Sequence, residues 1–261
     1  PIEQGIGVYY TNLIYGDIDF AVIEDRKFKS GPKGKIPQQG PRPDHIRNAE
    51  YDPGSIDLEG LSLLGDRQLH FLKKWGEKKG KSAMKAVLSQ TGFCGGAHLH
   101  GTKENRLHAD LDSNGWPQKG RNEALKLIKK ANAVHIAGDQ HLSTVIHHGI
   151  NKYEDGPWAF IVPAIVNDYY SRWWWPENEK PGNNSNKLLP WNGRYLDGFN
   201  NKITMHAYAN PDSDSKGSGY GIIKFNKGDS SVTFECWPRY QDVRKLNAKQ
   251  FRGWPITVSI D

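Results

Sequence analysis

Short apolar runs alternate with amphipathic stretches through the first part of the chain. Ile18–Glu24, Ala86–Ser89, Val134–Ala137 and Ala159–Val162 are rich in apolar or β-branched residues and predict buried strands. Between them, Leu69, Leu72 and Trp75 within Asp66–Lys79 fall at helical spacing. Ala124, Leu125 and Ile128 within Arg121–Ala131 do the same. Each stretch therefore predicts an amphipathic helix lying on a sheet, and the alternation predicts an α/β layer structure.

Past Asn167 the texture changes to Trp, Pro, Asn and Gly, and a helical period returns only near Gln241–Gln250. Gly221–Phe225 and Val232–Cys236 alternate apolar and polar residues on either side of Asn226–Ser231, which predicts a β-hairpin. With neither an internal repeat nor a clear linker, residues 1–261 read as a single domain, carrying long loops and the hairpin from about 167 to 240.

Composition narrows the class. With 36% hydrophobic and 11% aromatic residues the chain can bury an ordinary core. A mean hydropathy of −0.72 and the lack of an apolar run of about 20 residues predict no membrane-spanning helix. The net charge of +6 comes partly from Phe28–Lys35 and the Pro, Gly and Arg that follow as far as Pro43, read as a solvated loop. Its basic residues are not interleaved with aromatics, so no nucleic-acid reader is predicted. Two cysteines, Cys94 and Cys236, are too few for a disulfide framework. The chain opens Pro1-Ile2-Glu3, without an initiator Met or signal pattern, and reads as the downstream part of a longer product.

Candidate chemistry sits at predicted strand ends. Val134–Ala137 stops at Gly138 and then presents Asp139 and His141 two residues apart, so a carboxylate and an imidazole can converge on a cation. Seven of the ten histidines, His98, His100, His108, His135, His141, His147 and His148, fall between residues 98 and 148. Against that stands the ordinary alternative: His135 buried in its strand, and His147 and His148 on an opposing strand with one of them facing inward. His98 and His100 form a His-x-His pair in a Gly-rich loop. Val87–Thr91 delivers Gln90 after an apolar run, and Phe20–Arg26 delivers Asp25 and Arg26, either as site residues or as a local ion pair at a strand tip. Asp112–Arg121 leads into the second helix. There Asp112 or Asn114 can cap backbone amides, Trp116 can anchor the loop, and Arg121 is either solvated or a phosphate fork.

The order of these motifs resembles the alkaline phosphatase D (PhoD-like) family of calcineurin-like metallophosphoesterases, over roughly residues 10 to 150. Tyr15–Ser30 resembles its strand ending in Asp-x-Arg-x-aromatic-Arg, with contiguous Asp25-Arg26 and with Lys29 in place of Arg. Leu64–Leu72 resembles its Leu-Gly-x-x-Gln-x-x-x-Leu helix, Lys85–Gln90 the strand ending in Ser-Gln, Asp112–Arg121 the Asp-x-Trp segment that ends in Arg, and Gly138–His141 the Gly-Asp-x-His signature. The resemblance implies a two-sheet sandwich flanked by helices, incomplete at the N-terminus, because the family's earlier Asp and Gly-Asp strand ends lie before Tyr10 and are not in this chain. It implies hydrolysis of phosphate mono- or diesters by a water activated on iron, calcium, zinc or manganese ions. Asp139 and His141 would be metal ligands and catalytic, Arg26, Arg121, Gln90 and Asp112 would meet substrate, and the protein would be exported from a bacterial cell. Two readings compete with it: a carbohydrate- or polymer-binding module using Trp173, Trp174, Trp175 and Trp191, and a phosphatase-like protein without catalysis.

Overall fold

A computed structural model describes residues 10–78, 80, 82–100, 107–165, 171–173, 188–209 and 218–260, with only the backbone described for Ala97–His100 and Ser171–Trp173. In chain order the elements are β1 (Thr11–Tyr15), β2 (Ile18–Val22), β3 (His45–Ile46), a 3-10 turn (Pro53–Ile56), α1 (Gly65–Glu77), β4 (Met84–Thr91), β5 (Ala97–His100), β6 (Ala109–Asp110), α2 (Gln118–Lys130), β7 (Ala133–Gly138) and β8 (Ser143–His148). They continue with β9 (Trp158–Ile161), β10 (Ser171–Trp173), β11 (Gly193–Leu196), β12 (Lys202–Ala209), β13 (Gly219–Asn226), β14 (Ser231–Pro238) and β15 (Ile256–Ser259).

Eight strands make one mixed sheet in the order β1-β2-β4-β7-β9-β8-β12-β11. Its centre, β2, β4, β7 and β9, is parallel. These strands are buried on both faces, which is why they read as near-continuous apolar runs. Val134 and Ile136 of β7 face a second sheet, β13-β14-β15, through a core that includes Phe160, Val232 and Phe234. Ala133 of β7 and Val87 of β4 face the helices, with Leu72, Trp75, Leu125 and Ile128. The result is the helix-flanked two-sheet α/β sandwich expected.

Both helices follow from local sequence. α1 buries Gln68, Leu72 and Trp75 at a spacing of four and three residues, and full burial of a side chain such as Leu72 is worth roughly 1.5–3 kcal/mol. Ser62 Oγ accepts the Gly65 amide at 3.0 Å at the start of α1. At its other end Lys85 Nζ donates to the carbonyls of Trp75 and Gly76 at 3.0 and 2.8 Å, a cation placed where the helix dipole is negative. A Cβ on Gly76 would lie 3.0 Å from the Cβ of Ala131, so glycine lets the two helices approach closely. α2 begins at Gln118, three residues before the expected start.

Two expectations change. Gln241–Gln250 forms turns instead of a helix, because Asp242 Oδ1 accepts both the Arg244 amide at 3.1 Å and its guanidinium at 2.9 Å, a local alternative to helical hydrogen bonding. The basic stretch after Phe28 is a loop, but it is not wholly solvated: Ile36 is buried in a satellite core with Ile46, Ile56 and Trp116, and Lys29 is tied inward as described below. Among the described residues no helix is long and apolar enough to cross a membrane. Trp174, Trp175 and much of the loop-rich stretch after Asn167 lie outside the described residues.

Candidate functional site

The carboxyl ends of β2, β4 and β7 lie side by side because the strands are adjacent and parallel. Past β2 the chain delivers Asp25 and Arg26; β4 ends in Gln90 and Thr91; past β7 come Asp139 and His141. Asp139 and His141 both hold left-handed backbone, at φ 70° and 53°, a conformation uncommon for residues with a side chain and often found at functional turns. Gln140, between them, is buried and anchors the turn by donating to the Cys94 carbonyl at 2.6 Å.

Thr91 ties the three strand ends together. Its amide donates to Asp25 Oδ2 at 2.9 Å and its hydroxyl to Asp139 Oδ2 at 3.2 Å. Asn114 Nδ2 adds a second bond to Asp25 Oδ2 at 2.7 Å. Asp25 is fully buried, and burial pushes its carboxyl up to about 6 against the Thr91 hydrogen bond that lowers it. Its Oδ1 and the Oδ1 of Asn114 are buried acceptors without a hydrogen-bond partner among the described residues. Asp139 and Gln90 are exposed and His141 is half-buried, so this edge opens to solvent.

Arg26 borders the same edge. Its guanidinium donates to the Asp112 carbonyl at 2.7 Å and pairs with the Asp112 carboxylate. The side chains are 30% and 46% exposed, so the pair sits where a ligand can reach it. Lys29 Nζ donates to the carbonyls of Leu111, Asp112 and Ser113 at 2.7, 2.7 and 2.8 Å. Burial, then repulsion by Arg26, lowers Lys29 to about 7. Three carbonyl acceptors nevertheless call for three hydrogens, which only the ammonium form carries. Lys29 thus fastens the turn that holds Asp112 in front of Arg26.

A second group lies farther along this turn, where β3 pairs with β6 and His45 stands opposite Asp110. Asp44, His45 and Asp110 bring one ligand atom each within 4.8 Å of one another, a set able to hold a metal ion. Burial raises Asp110 to about 6, with repulsion from Asp112 and Asp44 adding to the rise. Asp110 Oδ1 accepts the Asp112 amide at 3.0 Å, which links this group to the Arg26–Asp112 pair.

The predicted residues Arg26, Gln90, Asp112, Asp139 and His141 thus come to one edge. Arg121 does not join them. It is 1% exposed, and its guanidinium donates to the carbonyls of Phe93 and Gly149, both at 2.9 Å, and to Asn122 Oδ1 at 2.7 Å. These partners occupy it as an internal tie, leaving it neither solvated nor presented as a phosphate fork. Trp116 is buried, and its Nε1 donates to the Ile56 carbonyl at 2.7 Å, the loop-anchor role. His148 faces inward and His147 is half-buried, and His135 is buried in its strand. His98 and His100 belong to β5, and only their backbone is described. Trp191 packs against the sandwich core, and the backbone of Trp173 pairs with Ala97.

The chain matches the family model of PhoD-like phosphatases over residues 3–173. It belongs to the PhoD-like phosphatase family. Among curated proteins none matches it. The solved structure of PhoD resembles it with a TM-score of 0.54 at 13% identity, covering 97% of this chain and 42% of that one. A purple acid phosphatase from yellow lupin (Lupinus luteus) seeds covers 96% of this chain and 32% of its own, with a TM-score of 0.48 at 11% identity. The chain therefore spans about two fifths of the PhoD chain it resembles. Gly138–His141 falls within the matched range and lies on a turn with left-handed backbone at Asp139 and His141, at the open edge of the sheet.

Proposed function

We propose that this protein hydrolyses phosphate mono- or diesters with the help of divalent or trivalent metal ions held at the carboxyl edge of the parallel strands. The observation that supports this most is the Thr91 junction: one residue hydrogen-bonds both Asp25 and Asp139, beside a half-buried Arg26, in a PhoD-like chain. The residues suit such ions. Carboxylate oxygens and imidazole nitrogens are ligands for zinc, manganese, iron or calcium, and the buried acceptors Asp25 Oδ1 and Asn114 Oδ1 favour positive charge nearby.

In this reading Asp139 and His141 hold one cation, and Asp44, His45 and Asp110 offer a second position. Such ions supply positive charge to phosphoryl oxygens and make water a stronger acid at neutral pH. The chain's own residues orient the substrate. Arg26 presents its guanidinium to phosphoryl oxygens in a planar fork, with Asp112 fixing its direction. Thr91 holds the Asp139 carboxylate in one rotamer by donating to Oδ2, leaving Oδ1 for a ligand. Gln90 flanks the site as an exposed amide.

The same reading places the protein outside a bacterial cytoplasm, as an exported phosphatase of this family, with a small or polymeric phosphate ester as partner. The test is metal analysis of purified protein alongside assays with p-nitrophenyl phosphate and bis-p-nitrophenyl phosphate. Bound metal together with hydrolysis of either ester supports the proposal. A metal-replete protein that hydrolyses neither overturns it.

A further inference from the structure

Between β4 and β7 the ladder runs in register from Lys85 opposite Ala133 to Leu88 opposite Ile136, then resumes with Thr91 opposite Gly138. Three steps on β4 thus match two on β7, so β4 carries one extra residue at Ser89-Gln90, a β-bulge. A bulge re-aims the side chains around it, and this one comes immediately before Thr91, the residue that bonds both Asp25 and Asp139.

Two side chains span the bulge. Ser89 Oγ donates to the Thr91 carbonyl at 3.2 Å and lies 2.6 Å from Nε2 of His135 on β7. With the hydroxyl hydrogen directed to the Thr91 carbonyl, the Ser89–His135 bond takes its proton from Nε2 of the imidazole. His135 Nδ1 is buried and has no hydrogen-bond partner among the described residues. A proton there would be a buried donor left unmade, so the Nε2 tautomer is the one that leaves no buried donor unpaired in the ring. The ring is completely buried and rests against Phe93 with centroids 4.4 Å apart, which fixes its plane. Burial also lowers His135 to about 3, so the ring is neutral at ordinary pH.

We infer that His135 and Ser89 are a positioning pair, acting from the helix face of the sheet through the β4 bulge to set Thr91 and, through Thr91, the Asp139 carboxylate. The chain of bonds runs from His135 Nε2 to Ser89, from Ser89 to the Thr91 carbonyl, and from the Thr91 hydroxyl to Asp139. His135 touches neither metal nor substrate. Its effect is to restrict the Asp139 rotamer, and the inference rests on the reading of Asp139 as a metal ligand.

The test is Mn2+ binding by calorimetry to the metal-stripped protein, for wild type, Ser89→Ala, His135→Leu, His135→Gln and Asp139→Ala, with thermal melts confirming that each is folded. Partners behind a metal ligand commonly change affinity by about 10- to 100-fold. Ser89→Ala and His135→Leu are expected to weaken Mn2+ binding by about 10-fold or more. His135→Gln, whose amide nitrogen reaches the place of Nε2, is expected to restore it to within about 3-fold. Nitrogen NMR of the imidazole is expected to show Nε2 protonated and Nδ1 bare. Wild-type affinity in Ser89→Ala, with loss of binding in Asp139→Ala, overturns the positioning pair and leaves the metal site standing. Unchanged affinity in Asp139→Ala overturns both. An Nδ1-protonated ring overturns the pair whatever the affinities.

Discussion

The Thr91 amide donates to the fully buried carboxylate of Asp25 at 2.9 Å, joining the ends of two adjacent parallel strands. This bond and that from Asn114 both fall on Oδ2, while Oδ1 has no hydrogen-bond partner among the described residues. Asp25 is therefore poorly solvated as an anion, and its carboxyl is raised from the ordinary 3.8 to about 6.

A folded-state value above the unfolded one means that the folded protein holds this proton more tightly. The contribution of Asp25 to stability is fully present below about pH 4, declines as pH rises towards 6 and is flat above that. The shift corresponds to about 3 kcal/mol. Asp110, also raised to about 6, acts in the same direction. In urea melts between pH 4 and 8, Asp25→Asn is expected to remove about half of this acid-side slope. An unaltered slope would show that Asp25 is not the group being titrated.

Arg26 and Arg121 should separate cleanly. Hydrogen bonds to charged groups are worth about 1.5–3 kcal/mol, so Arg26→Ala is expected to lower kcat/KM for a phosphate ester by about 10- to 100-fold with little change in melting temperature. Arg26→Lys should recover little, because a point charge does not reproduce the planar fork. Equal kinetics for wild type and Arg26→Ala would remove Arg26 from the site.

Arg121→Met strands the buried carbonyls of Phe93 and Gly149. We expect it to cost about 3 kcal/mol or more in unfolding free energy, with KM unchanged in the protein that remains folded. A raised KM without loss of stability would restore Arg121 as a phosphate contact.

The Asp44, His45 and Asp110 group predicts a stoichiometry. His45→Ala and Asp110→Asn should each reduce the number of bound Mn2+ ions by one while Asp139 and His141 keep theirs, as read by equilibrium dialysis. Loss of both ions together, or of neither, would contradict two separate positions.

How far the sequence carried this picture depends on where the determining contacts lie. β2, β4, β7 and β9 are legible because both faces are buried, and the helices and the β13–β14 hairpin because their periods are clean. β1 is not, since all five of its residues are exposed and nothing in Thr11–Tyr15 alternates. β8, with sequence STVIHH, and β12, with KITMHAYA, mix polar and apolar residues and so give no clean period, although most of their side chains are buried, Ser143 by donating to the Ile161 carbonyl at 2.9 Å. The Gly138–His141 turn is local and readable. The bonds to Asp25 span 66 and 89 positions, and no spacing rule reaches that far. Asp44 and His45 meet Asp110 only because a two-residue ladder folds an apparently solvated basic loop back on the chain. For Arg121 the sequence offered solvent or phosphate, and packing supplied a third partner, buried carbonyls.

The central claim is that Asp139 and His141 hold a cation on which phosphoester hydrolysis depends. The most direct measurement is the rate of p-nitrophenol release from p-nitrophenyl phosphate and its bis ester by metal-stripped protein, as Mn2+, Zn2+, Fe3+ or Ca2+ is added back, for wild type, Asp139→Ala and His141→Ala. The prediction is that at least one metal restores wild-type turnover, while both variants stay at least about 1000-fold slower and bind less metal. Metal-independent turnover in wild type, or variants that keep both wild-type metal content and wild-type rate, would contradict it.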